Sequence, residues 1–232
     1  MITQLSSRKT GLHVKKEKKG PEKRKVGTSV KDKLLVETRR NQIIQAANKM
    51  FVQKGFHQTT IKDICDSSGL GPGTLYNYIH KKEDILYLVY DKLTTMLTQT
   101  GRDLMGGNDN DPLDQLKTLL SETIDIVWEN QELVRLMYHE TAALDKESLS
   151  TVLGEESRYV KYVETILMRA REKGVIQNTN TGMAANIIVY LLAFIALRRW
   201  NFKNRFNEQE IKSGLVDFIM RALCIADAKG KK

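Results

Sequence analysis

The chain has 232 residues, of which 41% are hydrophobic, and a formal net charge of +9. That length allows a small domain beside a larger one, each with its own core. Three prolines and fifteen glycines are too few for a turn-rich β-sandwich and favour long helices.

The charge is uneven. Residues 1–33 hold 11 Lys/Arg against 3 Asp/Glu, residues 34–92 hold 8 against 6, and the remainder 18 against 19. Basicity is therefore mostly a property of one tail and gives no whole-protein argument for nucleic acid. Cys65 and Cys224 make neither a metal spacing nor a disulfide framework. Both lie on apolar helical patterns and read as buried small hydrophobes in a reducing compartment. The start MITQLSSRKTGLHVKKEKK has no apolar core of a signal peptide. The most apolar run, Ile187 to Leu197, is about half the length of a membrane span. A soluble, cytoplasmic protein without a membrane partner is expected.

Residues 1–32 are basic, contain Gly11, Gly20, Pro21 and Gly27, and lack apolar periodicity. A flexible extension is expected, either a solubilising tail or an arm for DNA phosphate or minor groove. Helical periodicity begins near Lys33, where Ile43, Ala47, Met50 and Phe51 share a face. Gly55 stops this helix. In TTIKDICDSSG, Thr60 and Asp63 form a capping-box pattern, Ile61, Ile64 and Cys65 a short apolar stripe, and Gly69 the stop, with Leu70 placed to pack back. Gly71, Pro72 and Gly73 follow, and Pro72 suits the first position of a third helix. Three helices with a tight glycine turn between the last two make a helix-turn-helix, expected over residues 33–81.

On a helical wheel, Leu75 and Ile79 share the inward face of Pro72 to Ile79. Asn77 lies opposite, with Gly73 and His80 near it, Thr74 beside it, and Tyr76 and Tyr78 on the flanks. Pro72 and Gly73 allow close approach to a surface. Thr74 offers a hydrogen bond and a methyl to a base, and Asn77 can pair with an adenine edge. Tyr76, Tyr78, Thr60 and Lys82 are expected at phosphates. The helix start itself favours an anion.

Residues 82–232 read as a larger helical domain for ligand sensing and dimerisation. Helices are expected at 82–105, 113–129, about 131–143, 146–173, 181–202 and 207–227, with GGNDNDP as a loop. The architecture is all-α, roughly nine helices. The helix MAANIIVYLLAFIALRRW is apolar almost all round, so one face suits the chain's own core and another a second copy. The last helix adds Ile211, Leu215, Phe218, Ile219 and Leu223, giving a four-helix homodimer interface. Candidate pocket residues are Met96, Trp128, Met137, Tyr138, Tyr159, Tyr162, Ile166, Asn186 and Tyr190, each of which could equally be plain core. His139 and Glu140 could anchor a polar group or serve structure. Arg198 and Arg199 could meet an acidic ligand or stay solvated. No catalytic or metal-ligand cluster and no phosphate loop is present, so neither enzyme nor cofactor is expected.

The stretch TRRNQIIQAANKMFVQKGFHQTTIKDICDSSGLGPGTLYNYIHKKEDIL, Thr38 to Leu86, resembles the TetR family of transcriptional regulators. The resemblance rests on the pattern of the first half, the SG...GTLY.Y...KE.IL second half, and their spacing. It implies a dimeric repressor of double-stranded operator DNA with an N-terminal reading domain and a helical sensing domain. It also implies that Gly73, Thr74, Tyr76, Asn77, Tyr78 and Lys82 face DNA. Cys65 stands where alanine is usual in the family, and Pro72 where a polar or basic residue is common. LVRLMYHETAALD and ALRRWNF resemble members that sense fatty or aromatic acyl-CoA, which implies an acyl-CoA or other hydrophobic acid derivative as effector. That it lowers DNA affinity is expected from residues 82–105, which link the pocket region to the reading domain.

Overall fold

A computed structural model describes residues 23–105, 111–177 and 179–223. The tail 1–22 and Cys224 lie outside the described residues. Within them the chain forms ten α-helices and one 3-10 turn, one helix more than the sequence reading.

The first three helices are α1 (Lys33–Lys54), α2 (Ile61–Ser68) and α3 (Pro72–Tyr76). Asp32 caps α1 by accepting from the amides of Leu34 and Leu35. Thr60 and Asp63 cap α2 reciprocally, as the sequence pattern requires. Gly69 ends α2 at φ 70°, a left-handed conformation that glycine adopts without penalty. Leu70 turns back into the core. Ile43, Ala47, Ile64, Leu75 and Ile79 are all fully buried and close this small domain. Each such aliphatic side chain stabilises by about 1.5–3 kcal/mol, so two residues suffice to hold α3.

Residues 23–32 depart from the flexible extension expected over 1–32. They run along the domain: Val26 is buried, and Arg40 donates to the carbonyls of Val26, Gly27 and Tyr78. Two valines, Val26 and Val30, in a basic run give too little periodicity to mark an element, which is why the sequence pattern hid this packing.

The larger part comprises α4 (Lys82–Met105), α5 (Pro112–Glu129), α6 (Gln131–Glu140), α7 (Lys146–Glu172), α8 (Thr181–Leu197), α9 (Arg199–Phe202) and α10 (Glu208–Leu223). The stretch expected as one helix over 131–143 ends at Glu140 and continues as a 3-10 turn, Thr141–Ala143. The helix expected over 181–202 breaks at Arg198, which leaves helical geometry at ψ 15°. Leu119, Leu120, Ile124, Val163, Ile166 and Leu167 form the fully buried centre of this core.

The long helix α4 belongs to both cores. Its first half (Ile85, Leu86, Tyr87, Val89, Tyr90) packs into the N-terminal cluster, and Leu93 into the second. Two buried threonines on α4 bond within their own helix. Thr94 donates to the Tyr90 carbonyl and Thr98 to that of Thr94, both at 2.9 Å. Further along, Gly101 meets α7 so closely that an added Cβ would lie 2.5 Å from Cδ2 of Tyr162.

Candidate nucleic-acid interface and effector cavity

The third helix presents a ridge. Pro72, Gly73, Thr74, Tyr76 and Asn77 are exposed, while Leu75 and Ile79 are wholly buried beneath them. Among the described residues no side-chain hydrogen bond caps the start of α3, and Gly71, its N-cap, carries no side chain. With five residues, α3 is shorter than the expected Pro72–Ile79 stretch, so its own dipole adds little to anion binding. Asn77 closes it as C-cap, and Tyr78 and Ile79 continue with amide bonds to the Leu75 carbonyl.

Four of the residues expected to face DNA occupy places their residue types did not reveal. The Tyr78 ring is buried, only 4% exposed, within the N-terminal core. The flank assigned to it on an ideal wheel turns inward because the helix ends at Tyr76, three residues before the expected end. The Lys82 ammonium donates to three carbonyls, Phe56 at 2.9 Å, His57 at 3.2 Å and Thr59 at 3.0 Å. It also sits 4.4 Å over the Phe56 ring. Lys82 therefore closes the end of the α1–α2 connection rather than reaching outward. The Thr60 hydroxyl is engaged with Asp63, accepting from its amide and donating to its carboxylate. The Asp63 carboxyl is held well below its usual range by Lys54 and by Thr60. Asn77 is exposed yet not free: Ser29 Oγ donates to its Oδ1 at 3.3 Å.

The reading domain is tied to the larger one through charge. Asp84, only 1% exposed, accepts from Arg24 at 2.6 Å and from the amides of His80 and Lys81 at 2.8 and 3.1 Å. Burial pushes the Asp84 carboxyl up, but those hydrogen bonds and the guanidinium outweigh it and hold its pKa below the ordinary value. Asp145, which caps α7, pairs with Lys81 at 2.8 Å and lies 3.8 Å from Arg24. His57 meets Glu140 of α6 at 3.0 Å. Neither Arg24 nor Asp84 was legible as a site. The only hint was an acid in the first turn of α4.

A narrow cavity of about 70 Å³ lies among α4, α5, α6, α7 and α8. Leu93, Val127, Val134, Met137 and Leu192 give it apolar walls. Its polar groups are mostly satisfied: Thr94 bonds its own helix, Thr123 and Tyr159 share a hydrogen bond, and Glu155 holds Arg158 with both oxygens. Glu156 also lines it, and burial pushes this carboxyl up although part of the side chain stays accessible. Burial raises the Tyr138 phenol to about 12.

Of the nine candidate pocket residues, Met137, Tyr138 and Tyr159 line this cavity. Tyr190 stands beside it, its ring 6.4 Å from that of Tyr138. The other five do not. Ile166 is fully buried in the core, and Tyr162 packs on Gly101. Asn186 is exposed and donates to the Gly182 carbonyl. Met96 opens on a cleft of about 810 Å³ shared with α1, and Trp128 on another beside Arg199. Glu140 is paired with His57 and Arg199 with Glu132, while Arg198 lies 4.9 Å over the Trp200 ring. These groups therefore have local partners and do not reach the cavity. Among the described residues no group of three His, Cys, Asp or Glu side chains is placed to hold a metal. No described helix is long and apolar enough to cross a membrane. Burial raises the Cys65 thiol, which keeps it protonated and unreactive.

On α8, Met183, Ile187 and Tyr190 are more than half exposed, and Phe194 is exposed beside them. Phe218 of α10 is 61% exposed. The helix expected to be buried all round thus covers only one side within a single chain, leaving an apolar groove of about 420 Å³ against α10.

Comparison with known proteins fits this geometry. Residues 43–87 match the model described as bacterial regulatory proteins, tetR family, and residues 109–223 the tetracyclin repressor-like C-terminal domain. The HTH-type transcriptional regulator HbdR of Aromatoleum sp. (strain CIB) is 29% identical over 208 residues, 89% of each chain. The crystal structure of FadR from Bacillus subtilis in complex with stearoyl-CoA superposes with TM-score 0.65 at 18% identity, covering 78% of this chain and 98% of that one. AibR in complex with isovaleryl coenzyme A and operator DNA does so at the same score and identity, covering 78% and 97%. An exposed reading ridge on a three-helix head, a helical body behind it, and family models matched in both parts lead to one conclusion: the chain belongs to the TetR family of DNA-binding transcriptional regulators.

Proposed function

We propose that the chain is a homodimeric repressor that binds a pseudo-palindromic operator and is released by a small, largely hydrophobic effector. The observation that carries the reading is the α3 ridge, where five of the six positions from Pro72 to Asn77 lie open around one buried leucine. A ridge of this width fits a major groove, with Thr74 and Asn77 at base edges and Tyr76 at phosphate. Two such ridges must sit one helical turn of DNA apart, about 34–36 Å, which calls for a second copy.

The exposed faces of α8 and α10 supply the place for that copy. Met183, Ile187 and Phe194 are exposed on α8 and Phe218 on α10, and Phe194 and Phe218 line the same apolar groove. Two helices from each protomer make a four-helix contact about a twofold axis.

The effector cavity lies beside α4, which also runs into the reading domain. A cavity of about 70 Å³ holds only a few heavy atoms, so a larger effector must push helices apart. Widening moves α4 and with it the separation of the two ridges, and release follows only as far as the effector prefers the widened state. The complexes of FadR with stearoyl-CoA and AibR with isovaleryl coenzyme A make acyl-CoA thioesters the first effectors to test.

The experiment is selection of operator duplexes from a random pool with the full chain, followed by anisotropy titration with a series of acyl-CoA thioesters. The expected result is a twofold-related consensus and a loss of affinity with at least one thioester. Enrichment of no duplex would refute the operator reading, and tighter DNA binding with thioester would reverse the sign of the switch.

A further inference from the structure

Residues 23–32 precede the matched reading domain, which begins at residue 43, yet they touch its reading ridge. The chain leaves α4 at Lys23, whose ammonium bonds Asp91 and Thr95, both at 2.8 Å. Arg24 is anchored on Asp84, and its carbonyl accepts from the Tyr87 hydroxyl at 3.0 Å. Gly27 passes so close to His80 that a Cβ there would lie 2.6 Å from the imidazole Nε2. The segment then reaches Asn77. Its backbone carbonyl accepts from Thr28 Oγ1 at 2.8 Å and from the Ser29 amide at 3.2 Å, while Ser29 Oγ donates to its side-chain Oδ1.

We infer that this segment is a strap that sets base preference: Ser29, with Thr28, orients the Asn77 amide on the reading ridge. An asparagine amide offers one acceptor oxygen and two donor hydrogens, and rotation by half a turn exchanges them. With Oδ1 held by Ser29, the Nδ2 donors point away from the strap. Thr28 and the Ser29 amide fix the peptide that carries this side chain, so the orientation is set at backbone and tip together. A donor presented to a major groove suits acceptor atoms, the N7 and O6 of guanine, the N7 of adenine or the O4 of thymine. It disfavours cytosine, whose groove edge is a donor. Thr28 and Ser29 are exposed, so neither contributes much to the core. They are positioning residues, acting on DNA through Asn77.

The inference rests on the operator reading proposed above, and the test separates the two. Duplexes selected by the wild-type chain are varied through all four base pairs at each half-site position, and affinities are measured by anisotropy. Ser29→Ala is expected to lower discrimination about three- to tenfold at one symmetry-related position, the loss of a single orienting hydrogen bond. Thr28→Val acts at the same position. Melting temperature and the salt slope of binding stay as in the wild type, and Ser29→Thr restores the preference. Asn77→Ala removes discrimination there, and adding Ser29→Ala to it changes nothing further.

A uniform loss over all duplexes, a reduced salt slope, an undiminished preference, or an equal effect of Ser29→Ala in the Asn77→Ala background would each overturn the inference while leaving operator binding intact. If the wild-type chain binds no duplex, the operator reading falls and this inference with it.

Discussion

Asp84→Asn is nearly isosteric and strikes the joint between the two domains. Asp84 Oδ1 takes the Arg24 guanidinium and Oδ2 the amides of His80 and Lys81. An asparagine has one acceptor oxygen, so its NH2 group must face donors on one side or the other. Breaking one partner of a buried ion pair costs about 3–5 kcal/mol. Asp145 at 3.8 Å keeps some negative charge near Arg24, which places the loss nearer about 3 kcal/mol. For a chain of this size that is a fall in Tm of about 6–12 °C. The assay is thermal unfolding at fixed protein concentration, because the Tm of the proposed dimer would depend on it. Arg24→Leu in the Asp84→Asn background should recover part of the loss, since it removes the orphaned cation. The same joint is acid-sensitive. A carboxylate whose folded pKa lies below its unfolded value contributes stability in full above that value and loses it as pH falls through the folded one. The wild type should therefore destabilise below the ordinary carboxyl value of 3.8 more steeply than Asp84→Asn does. A loss under about 0.5 kcal/mol at neutral pH, the level of an exposed ion pair, would refute the reasoning.

Lys82→Met removes three carbonyl bonds and a cation over Phe56, and should cost about 1–3 kcal/mol of stability. DNA affinity then weakens with the salt slope unchanged, whereas a phosphate contact would reduce the slope by about one. Gly101→Ala drives a methyl into Tyr162 and should destabilise by about 1–3 kcal/mol despite alanine's better helix propensity. Trimming the ring in Gly101→Ala with Tyr162→Leu should recover part of this in urea unfolding. Phe218→Glu places a charge on the exposed α10 face, and light scattering should find a monomer with weakened operator binding.

The fold was legible wherever local chemistry decides it. The Thr60–Asp63 cap, the Gly69 stop and the Leu75–Ile79 pair are short-range patterns, and each took the form its residues dictate. The pocket was not legible, because Tyr159 and Ile166 lie on the same helix and both are buried there. Only the arrangement of neighbouring helices leaves a void at one and none at the other. Lys82 misled for a related reason. A long cationic side chain at the start of a helix reaches phosphate or backbone carbonyl with equal ease, and the carbonyl ends of the α1–α2 connection are nearer. The strap left almost no trace, since Lys23, Arg24, Thr28 and Ser29 read as ordinary tail residues and their partners, like Arg40, lie far along the sequence.

The two threonines in the middle of α4 have a mechanical consequence. Both hydroxyls are satisfied by carbonyls of α4 itself, and among the described residues no side-chain hydrogen bond joins α4 to α7. Along their helical spans the seam is held by packing alone, and the polar tie sits at its start, where Lys81 just before α4 pairs with Asp145, the cap of α7. Tyr162 packs into the notch at Gly101, so in the proposed switch this steric contact would resist relative movement of the two helices.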